Sequence, residues 1–182
     1  MSRFARLSAW DDSACLRVNA LNRNWLSSFF FGAVSRLGDG WVWYGMMVLL
    51  PLVHGQAGLA VTTLLAVNGL ACTALYKWLK RSTRRPRPFE VFASLAVTEE
   101  PLDPYSFPSG HTLHAVAFTV IICGIFPGYA PVLVPYALLV AASRPILGLH
   151  YPSDVLAGAA IGAGAAACSL WVVRATQLIP GT

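Results

Sequence analysis

Charge is scarce in this chain: only 12% of its 182 residues are charged while 56% are hydrophobic. That balance excludes an ordinary soluble domain and is the composition of a membrane protein. With so little polar mass there is no folded polar domain to present a nucleic-acid-binding face, which excludes that class of partner. Cysteine is also sparse. Cys15, Cys72, Cys123 and Cys168 stand apart, with no pair at zinc-ligand or redox spacing, so neither a disulfide nor a metal centre is expected. Three of them lie in apolar runs, where cysteine behaves as a small hydrophobe. The few carboxylates form no cluster able to hold a hard cation. A cleavable leader is not expected either, because Arg3, Arg6, Asp11, Asp12 and Arg17 interrupt the stretch where its apolar core would lie.

What the chain does have is apolar length. Runs at 41–54, 57–79, 111–127, 130–149 and 154–179 approach the ~20 residues that cross a hydrocarbon core. The expected fold is all-α, an integral membrane bundle of five to six transmembrane helices. The stretch from Leu26 to Leu37 is shorter and carries Arg36, so it is either a short, tilted sixth span or an amphipathic helix at the interface. The interfacial reading divides the chain into an N-terminal segment, 1–40, and a membrane domain, 41–179. Gly38-Asp39-Gly40 and His54-Gly55-Gln56 read as turns. Trp41, Trp43 and Tyr44 read as an aromatic belt at the membrane boundary. Gly158 and Gly162 form G-x-x-x-G, which permits close helix contact; packing within the chain is expected rather than dimerisation. A monomer or a weak homodimer both remain compatible with that.

The charges fall in three places. Lys80 to Arg87 crowds cations just before Pro88, and like charges this close repel unless an anion draws them together. A polar loop, 89–107, follows; its length suggests a functional element, often a lid. Pro108-Ser109-Gly110-His111 then opens the next apolar run. The amides of Ser109, Gly110 and His111 would form an anion cradle at a helix start, with the Ser109 hydroxyl as a further donor and His111 as a proton donor. Ser143-Arg144 and His150-Tyr-Pro-Ser-Asp154 close the set. Pro152 fits the first helical position, so Asp154 falls in the first turn and can orient the His150 imidazole for attack. Arg144 offers a fixed fork for an oxyanion. Taken singly, each motif also reads as a helix cap or a snorkelling cation. Alternating span directions, however, bring all three to one side of the bilayer. Two imidazoles, a carboxylate and several cations around one place fit phosphoryl chemistry, which is catalysed mainly by positioning and charge stabilisation.

Lys80 to Pro88 (K-x6-R-P), Pro108 to His111 (P-S-G-H) and Ser143 to Asp154 (S-R-x5-H-x3-D) resemble, in order, the three-part signature of the type-2 phosphatidic acid phosphatase family. The resemblance covers roughly residues 38–178. It implies a lipid phosphatase that needs no cofactor or metal, with His150 as nucleophile through a phosphohistidine, Asp154 holding it and His111 as general acid. Lys80, Arg87, Ser109, Gly110 and Arg144 would bind the phosphoryl oxygens. Arg84 and Arg85 would serve a second phosphate or face headgroups, and His114 would line the pocket or be a structural histidine. The implied partners are membrane lipids and a lipid phosphate substrate such as a polyprenyl diphosphate, phosphatidylglycerol phosphate or phosphatidate. The resemblance also implies a bacterial inner-membrane protein with its site on the periplasmic face. Transfer of the phosphoryl group to another acceptor, or mere binding or transport of lipid phosphate, are the competing functions.

Overall fold

The structure is a computed structural model that describes residues 3–101 and 103–177. Among these the regular elements are helical: α1 (Arg3–Asn19), α2 (Trp25–Leu37), α3 (Trp41–Thr83), the single turn α4 (Pro88–Val91), α5 (Gly110–Ile125), α6 (Ala130–Ile146) and α7 (Pro152–Thr176). Three stretches are long and apolar enough to cross a membrane: Trp41–Val91, Pro127–Ile146 and Pro152–Thr176, with Gly110–Ile125 shorter.

The continuous helix α3 conceals the turn expected at His54-Gly55-Gln56. Gly55 has φ +56° and ψ −128°, a conformation an L side chain rarely adopts. The chain folds back there into two antiparallel limbs, 41–54 and 56–83. The Thr62 hydroxyl donates to the Met47 carbonyl at 3.0 Å. A Cβ on Gly58 would lie 2.0 Å from the Leu50 carbonyl oxygen. Small residues let the limbs touch backbone to backbone.

The second close contact joins α5 and α7. A Cβ on Gly158 would meet the Ser109 carbonyl oxygen at 2.5 Å, and one on Gly162 the Leu113 carbonyl oxygen at 2.3 Å. The G-x-x-x-G pattern therefore serves packing within the chain, as expected. Leu50, Val61, Leu65, Leu113, Ile121, Ile122 and Val140 fill the core between the helices. Outward, Leu52, Leu70, Trp78, Leu138, Leu156 and Trp171 are exposed, an apolar rind of the kind hydrocarbon covers. The aromatic belt needs one correction. Trp41 and Tyr44 face outward, but Trp43 is 3% exposed, packed edge-on against Phe118 at 5.5 Å, because it lies on the helix face opposite its neighbours.

The first helices are fastened to the bundle. Asn24 caps α2 by accepting from the amides of Leu26 and Ser27, and α2 packs against α6. The buried Asn19 donates to the carbonyls of Ala96 (2.9 Å) and Ile146 (2.8 Å) and accepts from the Ala96 amide at 2.9 Å. Arg36 pairs with Glu99 at 2.8 Å. The polar loop, whose length suggested a functional element, is thus strapped to α1 and α2.

Candidate active site

Each motif residue reaches the site by the termination or start of a helix. α3 ends at Thr83 because Arg84 turns left-handed, φ 47°, and Pro86 cannot continue the ladder. Lys80 then sits in the last turn and Arg87 just before α4. α6 ends two residues after Arg144. Gly148, at φ +74°, turns the chain so that His150 precedes Pro152 at the first position of α7. Asp154 falls in that first turn, where the helix dipole favours a carboxylate.

Lys80, Arg87, Gly110, His111, His114, Arg144 and His150 line a single cavity of about 240 Å³, together with Asp39, Tyr76 and Asp103. The three motifs converge as the alternation of spans requires. His150 is 1% exposed. Its Nδ1 lies 3.6 Å from Asp154 Oδ2, longer than a hydrogen bond, and makes no hydrogen bond among the described residues. Its Nε2 faces Arg87 Nη1 at 3.4 Å. Arg87 is further fixed by donating from Nη1 to the Leu149 carbonyl at 2.8 Å and from Nη2 to Asp103 Oδ1 at 2.9 Å. Lys80 Nζ donates to the same Asp103 oxygen at 2.8 Å.

Several placements differ from the sequence reading. Ser109 does not line the cavity. Its hydroxyl caps α5 and lies 3.0 Å from the Thr112 hydroxyl, while its amide donates to the Asp154 carbonyl at 3.0 Å. The anion cradle is left to the amides of Gly110 and His111, which have no acceptor among the described residues. Arg84 and Arg85 are not in the cavity wall either. Arg84 Nε donates to the Arg81 carbonyl at 3.2 Å, and Arg85 is taken up by carboxylates, Asp11 at 2.6 Å and Asp154 at 2.7 Å. His114, for which pocket lining and a structural role were the alternatives, lies in the cavity wall, and its Nδ1–H donates to the Gly110 carbonyl at 2.9 Å.

Polar residues outside the three motifs also hold motif side chains in place. Asp39, in the Gly38-Asp39-Gly40 turn, accepts from His111 Nε2. Ser35 on α2 accepts from Arg144. Asp103 bridges Lys80 and Arg87, and Asp11 on α1 reaches Arg85. A charged residue in an otherwise apolar chain, as Asp11 is, was the one signal available.

Fold and cavity together define a helical membrane bundle with imidazoles and cations gathered around one hollow suited to a multiply charged oxyanion. The chain belongs to the PAP2 superfamily, whose family model matches residues 57–177, more than half of its length. It is 36% identical over 94 residues to a lipid A 1-phosphatase of Rhizobium etli, covering 46% of this chain and 38% of that protein. It is 28% identical over 130 residues to an undecaprenyl-diphosphatase of Sulfolobus acidocaldarius, covering 71% of this chain and 62% of that one. The chain thus spans less than two thirds of the length of these curated relatives. Among solved structures it resembles a transmembrane PAP2-type phosphatidylglycerolphosphate phosphatase from Bacillus subtilis, with TM-score 0.71 and 20% identity over 93% of this chain and 87% of that one. LpxE of Aquifex aeolicus gives TM-score 0.66 at 24% identity, over 85% and 92% of the two chains. These likenesses extend the shared fold beyond the family match, into the N-terminal helices.

Proposed function

We propose that the protein is a membrane lipid phosphatase that removes a terminal phosphate from a lipid phosphate or diphosphate through a phosphohistidine at His150. The observation that carries this reading is the orientation of that imidazole, with Nδ1 toward Asp154 and Nε2 toward Arg87 and the cavity. A proton on Nδ1 leaves the Nε2 lone pair free to attack phosphorus. As the P–N bond forms, the bond from phosphorus to the lipid oxygen breaks, and His111 gives that oxygen its proton. Water then attacks phosphorus, His111 takes a proton back, and inorganic phosphate leaves with His150 restored. Lys80, Arg87, Arg144 and the amides of Gly110 and His111 stabilise the charge spread over the equatorial oxygens. For the substrate, Asp103 stands where an anion would bridge Lys80 and Arg87, so its carboxylate must give way to a phosphoryl oxygen.

A hollow of about 240 Å³ takes a phosphate or diphosphate but not acyl or prenyl chains, which would stay in the bilayer alongside the apolar rind. The relatives named above act, by their names, on lipid A and undecaprenyl diphosphate, substrates that share a terminal phosphate on a lipid. We place the protein in a bacterial inner membrane with the cavity facing the periplasm. The test is phosphate release by the purified protein in EDTA from lipid A, undecaprenyl diphosphate, phosphatidylglycerol phosphate and phosphatidate. Release from at least one of them is expected, abolished by His150→Ala. Release that persists in that variant would overturn the nucleophile assignment, and labelled product appearing on an alcohol acceptor would make the enzyme a transferase.

A further inference from the structure

Asp154 is fully buried, and its carboxylate is held on two sides. Oδ2 accepts from the Tyr151 amide at 2.9 Å and lies 3.6 Å from His150 Nδ1. Oδ1 accepts from Arg85 Nη1 at 2.7 Å. A carboxylate without exposure stays ionised only beside a cation or several donors. The cation here is Arg85, which is itself clamped. Its second nitrogen, Nη2, pairs with Asp11 at 2.6 Å, Nη1 also donates to the Ser153 hydroxyl at 2.7 Å, and its guanidinium lies 3.9 Å over the Tyr151 ring. Asp11 is 2% exposed and accepts from the Ser153 amide at 2.9 Å, so it is pinned to the start of α7. The chain of contacts runs Asp11, Arg85, Asp154, His150, and it starts on α1, outside the family match.

We propose that Arg85, fixed by Asp11, is a positioning residue that keeps Asp154 ionised and aimed at Nδ1 of His150, and so sets the tautomer that frees Nε2 for attack. This assigns Arg85 to the nucleophile rather than to a second substrate phosphate, and α1 becomes part of the catalytic apparatus. The inference rests on the phosphatase reading above for its kinetic consequence, but the tautomer it predicts can be observed without turnover.

The experiment pairs kinetics with ¹⁵N-histidine NMR on the purified full chain in detergent, comparing wild type with Arg85→Gln, Arg85→Lys and Asp11→Asn. Arg85→Gln should lower kcat about 10- to 100-fold, the range seen when the hydrogen-bonding partner that orients a metal-bound histidine is removed, with KM little changed because Arg85 does not line the cavity. Without its cation Asp154 takes up a proton more easily, so the acid limb of kcat should move to higher pH. Arg85→Lys should recover part of the rate, and Asp11→Asn should give a smaller change in the same direction. In the spectra, the His150 ring of the wild type should carry its proton on Nδ1, and Arg85→Gln should redistribute it between the two nitrogens. A raised KM with unchanged kcat would overturn the proposal by making Arg85 a substrate contact. An unshifted acid limb, or an unaltered His150 tautomer in Arg85→Gln, would equally sink it. A wild type that hydrolyses none of the lipids would defeat the phosphatase reading, while the spectra would still decide the role of Arg85.

Discussion

At the scale of the residue, burial and the charges of Arg144, Arg87 and Lys80 push the His150 pKa well below its ordinary 6.5. The neutral form is the one that attacks, so the nucleophile stays competent as the medium is acidified through that value. The acid limb of kcat/KM should therefore not belong to His150, and its ring should remain uncharged by NMR at about pH 6. Lys80→Met removes one repelling cation and should move the His150 titration upward. Asp103 shows the opposite balance: burial alone would raise its pKa, but the Lys80 ammonium and Arg87 guanidinium prevail and hold it below its ordinary 3.8. A depressed carboxylate contributes stability that is complete above its unfolded value and is lost as pH falls through its folded value. Thermal unfolding in detergent below about pH 4 should lose that contribution in the wild type, and Asp103→Asn should flatten this part of the profile.

At the scale of the element, helix ends and small residues do most of the positioning. Gly158 and Gly162 hold α7 against the backbone of Ser109 and Leu113, which fixes the start of α7, with Asp154, beside the start of α5, with His111. Gly162→Ala should cost about 1–3 kcal/mol, the usual penalty of overpacking, and lower the melting temperature. Gly164→Ala, where a Cβ meets nothing within 4 Å, should leave it unchanged. These contacts were half legible. The G-x-x-x-G spacing marks a close approach, but not which helix approaches. Pro152, Gly55 and the prolines after Thr83 marked their turns from sequence because each acts on its own backbone. Ser109 was less legible, because a serine at a helix start serves equally as cap and as ligand donor; in the structure its hydroxyl caps α5.

At the scale of the whole molecule, the segment before residue 41 packs onto the residues that build the site. Asp11, Ser35 and Asp39 all touch motif residues or their partners, and Asn19 ties the polar loop to the end of α6. Asn19→Ala would leave the Ala96 amide and the buried Ile146 carbonyl without their partner, at about 1–3 kcal/mol, while the Ala96 carbonyl keeps the Asn22 side-chain amide at 2.7 Å. It should speed hydrogen exchange and proteolysis of the 89–107 loop while the core helices stay protected. If the loop exchanges no faster in that variant, the strap is not what holds it.

The sequence by itself determined the solvent, the helical class and the convergence of the three motifs, because apolar length sets the number of crossings and each crossing reverses the chain. It also determined the chemistry on offer, since imidazole, carboxylate and guanidinium have fixed charges and geometries. Only the tertiary structure decided which charges meet. Arg85 and Arg87 stand two residues apart with the same side chain, yet one reaches the cavity and the other a buried carboxylate. Ion pairing between residues distant along the chain depends on how helices are stacked, and no local pattern encodes it.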